Sequence, residues 1–278
     1  VPDTTLPRAA TADGQTGLDT LAADPAGALV ASDFDGTLSP IVPDPADARA
    51  YPGAADALTK LAVAVGTVVI ITGRPAADVV RFGGLGEIPG LIVLGHYGAE
   101  RWQGGRVTAA PVPDGVAHVR AELPGLLATV GAPEGTHIED KGTALAVHTR
   151  RAADPSGALE KLREPLARLA AETGLAVEPG RFVWEIRPVG SDKGQALRSL
   201  VSERGARSVL FCGDDLGDLA AFAAVRDLRA DGVPGCAVAS RSAESPQVAA
   251  AADLVVDGPP GVVELLFSLA RYYGRPGA

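Results

Sequence analysis

Methionine is missing from all 278 residues, position 1 included, so the sequence leaves open where the natural start lies. Cysteine is nearly missing. Cys212 and Cys236 have no partners at metal-ligand spacing, and two thiols in a chain this long make no disulfide framework. A reducing cytoplasm is the simplest setting for them. There is no basic excess either: 25 Lys plus Arg face 34 Asp plus Glu, for a formal charge of −9, so no strong overall field draws the chain to nucleic acid or anionic lipid. Long apolar runs are also lacking. The most apolar stretch, Leu61 to Gly73, is thirteen residues long, short of the roughly 20 needed to span a bilayer. Val1 to Gly17, rich in Pro, Thr, Asp and Gly, lacks the basic-then-apolar order of a signal peptide and is expected to be a loose leader. The expected partner is a small molecule, not nucleic acid or membrane, and the expected state is a monomer.

What is present is a globular composition, 46% hydrophobic and 21% charged, long enough for one large domain or two smaller ones. Ala28 to Phe34, Thr67 to Ile71, Leu91 to Leu94, Ser208 to Cys212, Ala237 to Ala239 and Leu254 to Val256 are short apolar runs of buried-strand type. Helical spacing occupies Ala54 to Val65 and the stretch from Lys193 to Ser202, and Pro75 suits a helix start. Alternation of strand and helix argues a doubly wound, Rossmann-like parallel sheet, which places its chemistry outside the C-terminal ends of its strands. From about Gly104 the texture changes to half-buried strands (Arg106 to Pro111, Gly142 to Thr149, Phe182 to Ile186) and amphipathic helices (His118 to Val130, Pro155 to Glu172). The expected organisation is a leader at 1–27, an α/β core at 28–103 and 188–278, and an inserted α+β domain at 104–187.

Polar clusters stand at the strand ends. Asp33-Phe34-Asp35-Gly36-Thr37 puts two carboxylates on one side of a turn, where they repel and invite either a cation or a split in proton affinity; an ordinary Asp-Gly turn is the bland alternative. Thr72-Gly73-Arg74 offers a hydroxyl and unpaired backbone N–H groups suited to a phosphate oxygen, or simply a helix cap. Lys193-Gly194 starts a helix, where a lysine is more often a solvated surface charge than a catalytic group. Gly213-Asp214-Asp215-Leu216-Gly217-Asp218 gathers three carboxylates whose hard oxygens favour magnesium over zinc, unless they form only a solvated loop. Their order along the chain, each in the right structural context, favours catalysis over the bland readings.

In that order the clusters resemble the four motifs of the haloacid dehalogenase superfamily of aspartyl-phosphate phosphatases. DFDGTLSPIV (Asp33 to Val42), ITGRPAADV (Ile71 to Val79), GHYGAE (Gly95 to Glu100), IEDKGTALAVHTR (Ile138 to Arg150), GRFVWEIRPVGSDKG (Gly180 to Gly194) and GDDLGDLAAF (Gly213 to Phe222) narrow the resemblance to the trehalose-6-phosphate phosphatases. The sequence departs from that pattern at three places: Gly217 replaces the usual Thr, Leu219 and Ala220 replace acids, and Tyr97 replaces the usual His.

The resemblance implies Asp33 as nucleophile, Asp35 as general acid and base, Thr72 and Lys193 on the phosphoryl oxygens, and Asp218 orienting Lys193 or a water. Magnesium would bind the Asp33 carboxylate, the Asp35 backbone carbonyl and Asp214, while Asp215 is left open, with capping of the following helix as its bland reading. Gly73 would contribute to phosphate binding. The insert would act as a cap, with Glu139, Lys141, Arg150 and Glu185 on sugar hydroxyls. Alternation places Glu139 and Lys141 on one strand face. His148, Trp102 and Trp184 read as structural. The alternatives are a phosphatase for sucrose phosphate, mannosylglycerate phosphate or another sugar phosphate, and a non-catalytic sugar-phosphate sensor.

Overall fold

The structure, a computed structural model, describes residues 6–109, 111–242 and 246–273. It divides into two compact units, Val1–Thr108 with Asp192–Ala278, and Ala109–Ser191. Along the first part of the chain run α1 (Ala12–Ala23), β1 (Ala28–Ser32), α2 (Ala54–Ala62), β2 (Thr67–Ile71), α3 (Ala76–Gly83), β3 (Ile92–Gly95), β4 (Glu100–Gln103) and β5 (Arg106–Ala109). The inserted unit holds α4 (Asp114–Thr129), β6 (His137–Asp140), β7 (Leu145–His148), α5 (Pro155–Glu172), β8 (Leu175–Gly180) and β9 (Val183–Pro188). The chain then returns through α6 (Lys193–Arg204), β10 (Ser208–Gly213), α7 (Leu219–Ala230), β11 (Gly235–Ser240), α8 (Pro246–Ala251), β12 (Leu254–Val256) and α9 (Gly258–Tyr273).

The large sheet has the order β12-β11-β10-β1-β2-β3-β4-β5. It is parallel from β12 to β3, as buried β-branched runs favour. Leu18, Leu61, Val79 and Leu266 pack on one face, and Leu197, Phe222 and Val248 on the other. Strand order reverses about β1, where β10 and β2 flank it, and a crevice at such a switch point is where an open α/β sheet binds ligand. At one edge β4 runs antiparallel to β3. β4 and β5 are joined by Gly104 and Gly105, both at positive φ (57° and 78°), the pair a tight I′ hairpin turn requires. That hairpin corrects the expected place of Arg106 to Ala109: the segment is an exposed edge of the large sheet, not a half-buried strand of the insert.

The expected loose leader is also corrected, beyond Val1 to Thr5, which lie outside the described residues. Residues 12–23 form a packed helix with Leu18 and Leu21 fully buried. Gly17 explains the close fit, since a Cβ there would sit 2.1 Å from the Gly235 carbonyl of β11. The Thr11 hydroxyl accepts from the Gly14 N–H and donates to Asp253, which also accepts from Arg229 and from the Ala237 N–H. Burial alone would raise the Asp253 carboxyl, but these donors hold it below the usual range. Its contribution is therefore full above the ordinary carboxylate pKa and lost as pH falls through the depressed one. Asp253→Ala is expected to cost about 2 kcal/mol at neutral pH, because it removes the acceptor shared by a partly buried guanidinium, the Thr11 hydroxyl and the Ala237 N–H, and to flatten the acid side of the stability profile. Urea unfolding at several pH values checks this; an unchanged midpoint would mean that α1 is held by its apolar face alone.

In the inserted unit the sheet order is β6-β7-β9-β8, antiparallel throughout. Leu145, Val147, Trp184 and Ile186 meet Val119, Leu123, Leu162 and Leu166 of α4 and α5 on one face. The Trp184 indole N–H donates to the Leu159 carbonyl (2.7 Å), and Trp102 is buried in the large core, so both indoles are structural. Glu139, Ala146, Glu185 and Glu178 lie in register across the strands, on the other face.

Candidate active site

Four segments meet at the carboxyl ends of β1, β2 and β10 and at the first turn of α6. Asp33 follows β1, its N–H donating to the Cys212 carbonyl of β10 (2.8 Å). Lys193 opens α6, which Asp192 caps by accepting from the Gln195 N–H. Gly194 lets α6 approach α7 closely, because a Cβ there would meet the Ala220 carbonyl at 2.3 Å. The Lys193 ammonium lies 2.9 Å from Asp33 Oδ1 and 2.8 Å from Asp218 Oδ1, and all three residues are buried. Asp218 Oδ2 accepts the N–H groups of Asp214 and Asp215, so this carboxylate fixes the acidic loop as well as the lysine. Asp215 forms a capping box with Asp218 at the start of the following helical turn, a structural role.

Asp33, Asp214 and Asp218 each offer an oxygen within 4.8 Å of the others. Burial pushes the Asp214 carboxyl up to about 7, reinforced by Asp218 and Asp215. Burial also pushes Asp218 up to about 6 against the pull of Lys193, and moves Asp33 in the same direction. Burial would lower Lys193, yet Asp218 and Asp33 raise its ammonium well above its usual range. Fully ionised, three acids against one ammonium would leave a surplus of buried negative charge, and an all-oxygen donor set of this kind suits a hard divalent cation. Both Asp218 oxygens are already engaged, which leaves Asp33 and Asp214 as the better ligands.

Gly36, at φ 74°, brings the turn against Asp214: a Cβ there would stand 2.0 Å from Asp214 Oδ2. The Thr37 hydroxyl donates to Asp214 Oδ1 (3.1 Å), and the Ser240 hydroxyl donates to the Gly36 carbonyl (2.7 Å). Thr37 lies within the first motif and was open to this reading; Ser240 carries no local sequence signal. Asp35 is partly exposed and takes a two-point bond from Arg74, Nε to Oδ2 at 2.6 Å and Nη2 to Oδ1 at 2.7 Å. Sequence reasoning saw Arg74 only as part of a phosphate loop.

Thr72 is buried at the end of β2, beside β1, where Ser32 pairs with Ile70. Its hydroxyl accepts from the Arg74 N–H (3.2 Å) and its carbonyl from the Tyr97 N–H (2.9 Å). Gly73 leaves room for the Tyr97 phenol, whose oxygen would lie 2.8 Å from a Cβ at that position. His96 and Tyr97 both adopt left-handed backbone, φ 48° and 58°, an arrangement side chains rarely take without surrounding support. In the inserted unit, Lys141 pairs with Glu185 (2.9 Å) and Glu139 with His148 (2.7 Å), while Arg150 sits in the exposed turn after β7.

A family profile described as trehalose-phosphatase matches residues 31–260, spanning every one of these segments. The chain belongs to the trehalose-phosphatase family, within the haloacid dehalogenase superfamily. A trehalose-phosphate phosphatase of Mycobacterium leprae (strain TN) is 35% identical over 260 residues, 86% of this chain and 56% of that protein. An uncharacterized glycosyl hydrolase of Mycobacterium tuberculosis (strain CDC 1551 / Oshkosh) is 38% identical over 209 residues, 70% of this chain and 15% of that protein. The chain thus spans just over half the length of the first relative and a small part of the second. Among solved structures, the Aspergillus fumigatus trehalose-6-phosphate phosphatase superposes with a TM-score of 0.71 at 25% identity, covering 95% of this chain and 99% of that one. Among the described residues no helix is long and apolar enough to cross a membrane.

Proposed function

We propose that the protein hydrolyses trehalose 6-phosphate to trehalose and phosphate, a magnesium-dependent step of trehalose biosynthesis. The observation that carries this reading is the buried Asp33 carboxylate, 2.9 Å from the Lys193 ammonium and grouped with Asp214, in a chain of the trehalose-phosphatase family. Hydrolysis of a phosphate monoester demands on the order of 20 kcal/mol of barrier lowering, more than positioning alone supplies. Covalent catalysis divides that demand. Asp33 attacks phosphorus in line and displaces the sugar oxygen, and water then attacks the aspartyl phosphate, releasing inorganic phosphate and restoring Asp33. Lys193 and the Thr72 hydroxyl hold the phosphoryl oxygens. Asp35 protonates the leaving oxygen and later takes a proton from the water, which requires its carboxyl to leave the Arg74 fork. Asp33, Asp214 and the Asp35 carbonyl would hold magnesium, which when bound offsets the negative charge between these acids and an anionic substrate. Glu139, Lys141, Glu185 and Arg150 of the insert supply charged partners for sugar hydroxyls. The two free, buried thiols suit a reducing cytoplasm.

The neighbouring reading, another sugar phosphate as substrate, draws on Tyr97, whose phenol packs against Gly73 where the family usually has His. Steady-state phosphate release decides between them. Trehalose 6-phosphate is expected to exceed sucrose 6-phosphate, mannosylglycerate phosphate and glucose 6-phosphate in kcat/KM, and removal of magnesium is expected to abolish turnover on all of them. Preference for another ester would reassign the substrate. Undiminished activity in a metal chelator would remove the cation from the mechanism.

A further inference from the structure

Glu139 stands on β6, an edge strand of the small sheet, with its side chain half exposed. A glutamate in such a place rotates about three bonds, and a ligand that uses it must first stop that motion. Its charged neighbours on the same segment are committed elsewhere: Asp140 accepts from Arg120 (2.7 Å) and Lys141 donates to Glu185 (2.9 Å). The group on Glu139 is His148, at the end of β7, with Nε2 2.7 Å from Oε2. An ionised carboxylate only accepts, so Nε2 carries the proton and donates. Hydrogen bonding to His148 accordingly holds the Glu139 carboxyl below the usual range, against burial and with help from Lys141.

The imidazole is itself fixed. His137 lies directly across the strand pair from His148, and the two rings stack with centroids 4.7 Å apart and planes 11° from parallel. Burial holds His137 below the usual histidine range, so at neutral pH it stacks as an uncharged ring. Register sets the aim as well. Glu139 pairs with Ala146 and Ala146 with Glu185, so the two carboxylates share one face on either side of a methyl group.

We propose that His148 is the positioning residue for sugar recognition: held by its stack on His137, it fixes Glu139 Oε2 so that Oε1 is presented, already ordered, to a hydroxyl of the bound sugar. This rests on the reading that Glu139 takes a sugar hydroxyl. His148 meets the sugar only through Glu139, and its contribution is the rotamer freedom that Glu139 no longer loses on binding.

The test uses the full chain with trehalose 6-phosphate and, as a substrate without a sugar, p-nitrophenyl phosphate. His148→Leu keeps bulk and loses the donor; His148→Gln keeps an N–H near the place of Nε2. His148→Leu is expected to raise KM for trehalose 6-phosphate about fivefold, with kcat within about twofold and p-nitrophenyl phosphate kinetics unaltered. His148→Gln should recover most of the loss. In a Glu139→Ala background, His148→Leu should add nothing. The inference is overturned if Glu139→Ala raises KM while His148→Leu does not, if the two losses add, or if His148→Leu lowers kcat on both substrates and His148→Gln does the same. If Glu139→Ala itself leaves KM unchanged, the sugar-binding reading of Glu139 fails first and takes the inference with it.

Discussion

Asp33→Asn is expected to lower phosphate release from trehalose 6-phosphate by at least about 10⁴-fold while leaving the protein folded. The amide keeps the size of the carboxylate but cannot attack phosphorus, and Asp33 is the acid that both meets Lys193 and follows the central strand. Stability should not fall. Lys193 retains Asp218 at 2.8 Å, and one of three mutually repelling buried acids becomes neutral. The expected signature is therefore lost turnover with an equal or higher melting temperature. Phosphate release and thermal melting on the same preparation check it. Substantial residual turnover would place the nucleophile elsewhere, and a large drop in melting temperature would show that Asp33 acts mainly as a structural partner of the lysine.

Gly36→Ala is the second substitution with a large expected effect, and the chemistry it disturbs belongs to another residue. At φ 74° an alanine costs about 1–2 kcal/mol on backbone grounds. Its methyl would in addition stand 2.0 Å from Asp214 Oδ2, so Asp214 must move or the turn must open. A displacement of about 1 Å in a catalytic group costs on the order of a hundredfold in rate, and the magnesium concentration for half activity should rise with it. Gly84→Ala supplies the control. Its backbone is equally left-handed, at φ 64°, but nothing lies within 4 Å of the added methyl. Gly84→Ala should lose stability and keep its kcat, whereas Gly36→Ala should lose both. Equal activity in the two variants would mean that the turn does not set the position of Asp214.

How much of this was legible in the sequence depended on whether the signal was local. Thr67–Ile71 and Leu254–Val256 are strands and Pro155–Glu172 a helix at the bounds their residues imply, because unbroken β-branched runs and helical spacing leave few alternatives. The acid, lysine and threonine clusters likewise stand at strand and helix ends, as a doubly wound sheet requires. Illegible were features whose cause lies far along the chain. The first half of α1, before the amphipathic piece at Leu18 to Ala23, looks like a loop because Gly14 and Gly17 weaken it, yet those glycines are what let it touch Asp253 and Gly235. β5 reads as a strand, but with no buried face nothing in it says which sheet it joins, and β8 ends in Pro179 and Gly180, residues depleted in strands. The Arg74 fork on Asp35 crosses 39 positions and no spacing rule encodes it. His148 read as structural; its partner Glu139 became visible only once β6 and β7 were paired.

The arrangement of the large sheet also dictates an order of assembly during synthesis. β1 is central, yet one of its two neighbours, β10, is encoded after the entire insert; Thr37 and Asp214, which share a hydrogen bond, are 177 positions apart. A nascent chain that has emerged only through β9 holds β1 with one open side, and contacts of such long range form late and slowly. Among the described residues the insert's strands pair with one another, and its helices pack on them from within the same stretch, so it can become ordered before β10 reaches β1. Asp33 therefore waits for its lysine. Its ammonium partner and the other two acids all arrive after everything that separates the two halves of the core.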